Sequence, residues 1–591
     1  MKKIILYTVF FSVILTSCEK FLDRDPENEI GSTEFMTSEN DLNLYANGFI
    51  QRLMPSFENL AWGDQYSDIA TRSSTDFLIG DNWSADLQGG WSISKWGELR
   101  DINWYLDNLA KAENNVPEDV YNHYYGVGHF WRAFFYFDMV KTFGEVPWYE
   151  HELQVDEGEL LHKDRDSRSF VVDKIMEDLD EAINNLSTSS TYVTSGTVIN
   201  KWTALALKSR IALFEGTYRK YHDELNLQSS VEDLLRSAIS ASEEVMNYGP
   251  YSLIDNNSNK EAQYRSLFTS EGLQTQEVIL GLDFKTDVRM HNMTWKFFSA
   301  TYGNNWSLTQ DFVNHYLMRD GSRFTDQEHY VTKTYQENFD NRDYRLAQTV
   351  ISPEYERKIQ GTVKKDPPNF SITLTGYQPI KWALDDDVHV GITTANNSVP
   401  MFRYAEILLN YAEAKAELGE LDGTSWDKSI KLLRERAGVD GSIPVDYDTY
   451  LAEYYMNQTN DKWVLEVRRE RAVEMAMESV RYDDLMRWKL GEIIERPWNG
   501  IYIPEKNVSY DLNNDGKKDV AFVDTEPSSG QKESGVTYVV LGSSFTLSNG
   551  DSGNVQYGNN LGRKWLDKKY LRPIPTSAIQ RNSNLEQNPG W

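Results

Sequence analysis

FRYAEILLNYAEAKAELGE (402–420), WDKSIKLLRERAG (426–438) and VRRERAVEMAMESVRYDDLMRW (467–488) follow one another in the second half of the chain, and all three read as helix. In the first, Tyr404, Ile407, Leu408, Tyr411 and Ala412 recur at i, i+3, i+4, i+7 and i+8, while Arg403, Glu406, Glu413 and Glu417 fall largely on the other side. That spacing predicts an amphipathic helix with one apolar face. Ala412, Ala414 and Ala416 leave room for a close partner, and Gly419 and Gly423 stand where helix ends are expected. Residues 426–437 then predict the antiparallel partner across a short turn. Short helices paired in this way are the unit of helical repeats.

The same periodicity extends outward. Helices are expected over 41–53, 96–112, 118–141, 169–186, 200–218, 231–248 and 462–488, with 96–112 paired to 118–141 and 169–186 to 200–218. In 118–141, Val127, Phe130, Trp131 and Phe134 lie at helical spacing, Gly126 and Ala133 are small contacts, and FGEVP (143–147) stops the helix. Residues 250–400 are mixed in pattern. Residues 498–563 are rich in Asn, Gly and Ser, with strand-like runs such as VTYVVLG (536–542). The expected class is mainly α: helical hairpins over about 40–248 and 401–490, with irregular, partly β regions over about 61–96, 250–400 and 498–563.

Composition narrows the function. The 591 residues carry 60 Lys plus Arg against 90 Asp plus Glu, a net charge of −30, which argues against nucleic acid and anionic headgroups as partners. The single cysteine, Cys18, excludes an intrachain disulfide and a cysteine metal cluster. Lys2 and Lys3 precede a mostly apolar run, 4–15, of signal-peptide length, and the run ends in Leu15-Thr16-Ser17-Cys18, which resembles a lipobox. Cleavage before Cys18 and lipidation of that residue are expected, giving a signal peptide over 1–17 and one mature body over 18–591. An ordinary signal peptide with an incidental cysteine is the alternative. No other segment is long and apolar enough to span a bilayer.

RYAEILLNYAEA (403–414), RRERAVEMAMESVRYDDLMRW (468–488) and the closing YLRPIPTSAIQRNSNLEQNPGW (570–591) resemble the signature segments of the SusD/RagB family of Bacteroidetes outer-membrane lipoproteins, in matching order and spacing. Glu470, Arg471, Glu474, Glu478, Arg481, Asp484, Leu485, Arg487 and Trp488 are the matching positions. Their own chemistry reads as helix-to-helix ion pairing and packing. No faithful 34-residue repeat consensus occurs, so the tetratricopeptide-like character of the scaffold is what the resemblance implies. It also implies a non-catalytic, lipid-anchored protein at the cell surface. Such a protein captures oligosaccharide or polysaccharide as a lid on a SusC-like TonB-dependent transporter in the outer membrane. The RagB branch implies peptide capture instead.

Residues 61–96 hold Trp62, Trp83, Trp91 and Trp96 among Asp, Asn and Gly with no sustained period, a composition too aromatic for an idle linker. A sugar presents a C–H face and a hydroxyl edge, so its binder needs flat rings flanked by amides, carboxylates and Arg. Trp83, Trp91, Arg72, Asp81 and Asn82, with Tyr302, Asn305 and Trp306, carry that chemistry. Each of these tryptophans suits a core equally well, and Trp96 and Trp131, on expected helices, suit it better. Asp511, Asn513, Asp515, the Lys517 carbonyl and Asp519 match alternate positions of a calcium loop around Gly516. Phe522 stands where the bidentate Glu belongs, and a plain Asx turn fits as well. No cofactor is required beyond that structural calcium ion. HExxH, GxSxG and P-loop motifs are absent, and His123 and His129 do not share a helix face. A surface glycosidase, built on an unmarked pair of carboxylates, is the remaining alternative.

Overall fold

The computed structural model describes residues 35–71, 79–81, 83–303 and 305–591. Its scaffold is built from α1 (Glu39–Leu53), α2 (Ile93–Asn108), α3 (Glu118–Phe143), α4 (Arg168–Asn185), α5 (Lys201–Tyr221), α6 (Val231–Tyr248), α7 (Tyr404–Glu417), α8 (Ile430–Arg436), α9 (Lys462–Glu474) and α10 (Arg481–Arg487). Polar residues start several of them. Ser38 and Asp41 form a capping box on α1, and Ser92, Ser167, Asn200 and Asp461 accept first-turn amides of α2, α4, α5 and α9. α1 and α2 pack on α3, which packs on α4; α4, α5, α6, α7 and α9 then follow in contact order. Close approach depends on missing side chains. A Cβ at Gly128 of α3 would lie 2.5 Å from the Leu106 side chain of α2. Among the described residues no helix is long and apolar enough to cross a membrane.

The polar side of α7 is buried: Glu406, Glu413 and Glu417 are paired with Arg210, Arg487 and Lys220. Three expectations from periodicity are corrected. Residues 426–437 break at Ser429 between a short helix, Gly423–Asp427, and α8, and Arg403 closes the strand Val399–Arg403, which pairs antiparallel with Val278–Leu282. Residues 462–488 are two helices, not one. Met477 and Ser479 adopt φ of 65° and 62°, and Asp64 accepts the amides of Met477 at 2.7 Å and Arg481 at 3.0 Å. The competing hydrogen bonds come from the 57–71 segment, more than 400 residues upstream, which lies beyond the reach of any local pattern.

Around α9 lies a lattice of buried charge. Arg345, Arg403 and Arg436 all reach Glu474; Arg403 also holds Glu478 at 2.7 Å; Arg434 bridges Glu466 and Glu470; Arg487 joins Glu413 to Asp484; and Arg481 grips Asp68. Burial opposes ionisation of Glu474, but Arg436, Arg403 and Arg345 outweigh it and hold the carboxyl well below its ordinary value. Burial likewise lowers the Lys381 ammonium to about 8, although Nζ donates to Glu478 at 2.6 Å. The matching positions of the closing motifs are therefore scaffold.

The loop-rich regions are tied down by short pairings. Ala70–Thr71 runs antiparallel to Ser307–Leu308. Within 498–563, Gly553–Tyr557 pairs antiparallel with Phe545–Leu547 and Trp498–Ile503, and Val520–Val523 sits between Ser509–Tyr510 and a parallel Thr537–Val540. The closing segment returns to the first hairpins. Asn588 Nδ2 donates to the carbonyls of Phe143 at 2.9 Å and Arg572 at 2.7 Å, and Arg165 donates to Asn588 Oδ1 at 2.8 Å.

Candidate ligand-binding site

In the helix Met293–Phe298, Met293, Thr294 and Phe297 turn inward and leave Trp295 half-buried at the surface. The chain then reverses. Ser299 Oγ accepts the Tyr302 amide at 3.0 Å, and Gly303 donates to the Ser299 carbonyl at 2.9 Å. A Cβ at Gly303 would fall 2.5 Å from the carbonyl oxygens of Lys296 and Ser299, so only glycine permits this turn. The turn sets Tyr302 over Trp295, with ring centroids 4.3 Å apart at 39°, and Tyr302 remains 60% exposed. Trp306, four residues on, is only 4% exposed, packed against Trp62 at 5.7 Å and Phe297 at 6.0 Å. Asn305, at φ 53°, donates from Nδ2 to the carbonyls of Ser371 at 3.2 Å and Ile372 at 3.1 Å, pinning the loop.

The residues singled out by composition thus divide. Tyr302 belongs to the surface platform, while Asn305 is half-buried and holds the loop. Trp306 is corrected to core: the two residues after it pair with Ala70–Thr71, and its ring packs on Trp62 and Phe297. Trp295 was missed as a platform ring, although inward-facing Thr294 and Phe297 on either side mark it as outward.

Trp83, Asp81 and Trp91 lie along a different border, where Gly80 donates to the Gly562 carbonyl at 3.0 Å. Trp83 is half-buried, its indole N–H donating to Gln88 Oε1 at 3.2 Å. Asp81 is exposed and pairs with Lys568 at 2.6 Å, a hydrogen bond that lowers its pKa. Trp91 meets Phe143 and Trp96 edge-on, each at 5.1 Å. Cys18, Arg72 and Asn82 lie outside the described residues.

In the 511–519 loop the carboxylates turn to their own backbone. Asp511 accepts the amides of Asn513 and Gly516, Asp515 that of Lys517, and Asp519 that of Leu512. Asn513 Oδ1 accepts the Asp515 amide, and Lys365 donates to the Asn513 carbonyl at 2.9 Å. Among the described residues no group of three or more acidic, His or Cys side chains is placed to hold a metal ion.

The profile of the SusD family matches residues 271–591, more than half of the chain. The chain belongs to the SusD family. A second profile, described as starch-binding and associating with the outer membrane, matches residues 20–213. SusD-like protein P38 of Formosa agariphila is 24% identical over 521 residues, covering 83% of this chain and 91% of the relative. A crystallised SusD-like protein of Bacteroides fragilis superposes with a TM-score of 0.69 at 22% identity, covering 96% of this chain and all (100%) of that one. A SusD-like carbohydrate-binding protein of the same species gives 0.68 at 20% identity, covering 93% and 100%. At such identities the likeness carries the fold, a mainly helical SusD body with a few short strands.

Proposed function

We propose that this SusD-family protein is a cell-surface glycan-binding lipoprotein, anchored in the outer membrane through Cys18, that captures oligosaccharide and passes it to a SusC-like TonB-dependent transporter. The observation that carries the reading is the surface Trp295–Tyr302 pair, set by the Gly303 turn with Tyr302 60% exposed. A rigid aromatic step offers its rings to the C–H face of a sugar at little cost in side-chain freedom. The family profiles and the carbohydrate-binding relative in B. fragilis point the same way. Capture and transfer break no bond, so the protein works as a binder and not as an enzyme.

The test is calorimetric titration of the chain from residue 19 onward with plant, host and microbial polysaccharides and with mixed peptides, repeated on Trp295→Ala and Tyr302→Ala. One polysaccharide should bind, lose affinity in both variants and release no reducing ends. Binding of peptides alone would overturn the glycan reading, and release of reducing ends would overturn the non-catalytic one.

A further inference from the structure

Trp91 and Trp96 border a second concavity, far from the Trp295–Tyr302 platform in sequence. It is a groove of about 580 Å3 between the start of α2, residues 147–161 and the helix Thr576–Arg581. Three features of its walls point to one ligand chemistry. First, Trp91, Trp96 and Tyr149 line it with successive rings, Trp96 lying 5.1 Å from Trp91 and 6.0 Å from Tyr149 at steep angles. Second, the lining holds Arg100 and Arg581 but no Asp or Glu, in a chain with 90 acidic residues. Arg100 is paired with Glu152 at 2.9 Å, while no carboxylate pairs with Arg581 among the described residues. Ser92 caps α2 at the same place, so the positive end of a 16-residue helix opens there.

Third, polar atoms in the wall lack partners. Asn103 lines the groove and is 1% exposed; its Nδ2 donates to the carbonyls of Tyr149 at 2.9 Å and His151 at 3.1 Å, while Oδ1 accepts nothing. The Trp96 indole N–H likewise donates to nothing. Unmet buried groups are costly, and a hydroxylated ligand offers both a donor and an acceptor. From Ser92 to Asn103 the helix runs roughly 16 Å, room for a short oligosaccharide.

We propose that this groove is a second ligand site, taking a saccharide unit that bears a carboxylate or sulfate. Its ring face lies on Trp91 with Trp96 against its edge, its anionic group at Arg581 and the start of α2, and a hydroxyl at Asn103. A neutral glycan would leave Arg581 unused. An acyl chain would leave Asn103 and the Trp96 N–H unmet.

The experiment is titration of the full mature chain, followed by tryptophan fluorescence and calorimetry, with tetragalacturonate, a sulfated chondroitin disaccharide, maltotetraose and decanoate. At least one of the two acidic saccharides should bind. Its affinity should fall at least tenfold in Arg581→Ala and in Trp91→Ala, weaken as salt is raised, and be unchanged in Tyr302→Ala. Arg581 is exposed, so its variant should fold, and thermal melts of each variant would check this. Failure of both acidic saccharides to bind would overturn the proposal, as would binding of decanoate alone or binding indifferent to Arg581→Ala and Trp91→Ala. An acidic saccharide lost only in Tyr302→Ala would assign the ligand to the platform and overturn the second site, while loss of the platform reading alone leaves the groove standing.

Discussion

At the centre of the scaffold Arg345, Arg403 and Arg436 converge on the single carboxylate of Glu474, every member buried; at residues 295–302 two aromatic rings meet at the surface on a glycine turn. The first region is a set of mutual obligations. Each charge is tolerable out of water only because its partners are present, so no member can be changed alone. The second rests on the fold without supporting it. The difference separates residues that make a SusD body from residues that choose what it binds.

Acid should distinguish the two regions most strongly. Glu474, Glu466 and Glu478 have folded pKa values below 4.5, because their arginine and lysine partners outweigh burial. The stability they contribute is complete above that value and is lost as pH falls through the lowered ones. Asp64 and Asp311 act in the opposite sense: burial raises them to about 7 and about 6, so protonating them favours the fold. Burial lowers His123 and His291 to about 4 and His315 to about 3, so below their ordinary 6.5 these imidazoles pull the other way, because the unfolded chain takes up protons that the fold refuses. Melting temperature should therefore decline gently from pH 7 to 5.5 and drop steeply below about 4.5. A flat profile down to pH 3 would show that the lattice contributes little.

Next in size, Glu474→Leu strands three guanidinium groups in the interior and should cost about 3–5 kcal/mol, read from urea unfolding. Trp306→Ala empties a packed site and should cost a similar ~3–5 kcal/mol. Tyr302→Ala, only four positions earlier, should change stability by less than about 0.5 kcal/mol while weakening the glycan about tenfold, or ~1.4 kcal/mol. A Tyr302 variant that unfolds would dissolve the distinction between core and platform. Smallest of all, millimolar calcium against chelator should move the melting temperature by less than about 1 °C, since the 511–519 carboxylates are engaged by their own amides. A larger shift, abolished in Asp515→Ala, would show that the loop reopens for an ion.

The helices were readable because a buried face repeats at 3.6 residues: 231–248 was expected and observed at the same bounds, and 118–141 ends two residues later, at Phe143. What periodicity could not supply was the partner. The polar stripe of α7 looks the same whether water or Arg210, Arg487 and Lys220 lies opposite. The break at Met477 depends on Asp64, and Trp306 is core because Ala70–Thr71 pairs beside it. The platform was half visible. Tyr302 stood in an aromatic, glycine-containing stretch, but the exposure of Trp295 follows from the phase of a helix only six residues long, too short to register as a pattern.

The clasp at Asn588 has a kinetic consequence. It joins positions 445 apart, to Phe143 at the end of α3. Contacts of that separation form slowly, because a long loop must close before they give any return. A chain made from its N-terminus exposes the end of α3 until residues near 588 have emerged. The early hairpins are thus obliged to wait in a partly open state, where shelter from self-association matters most.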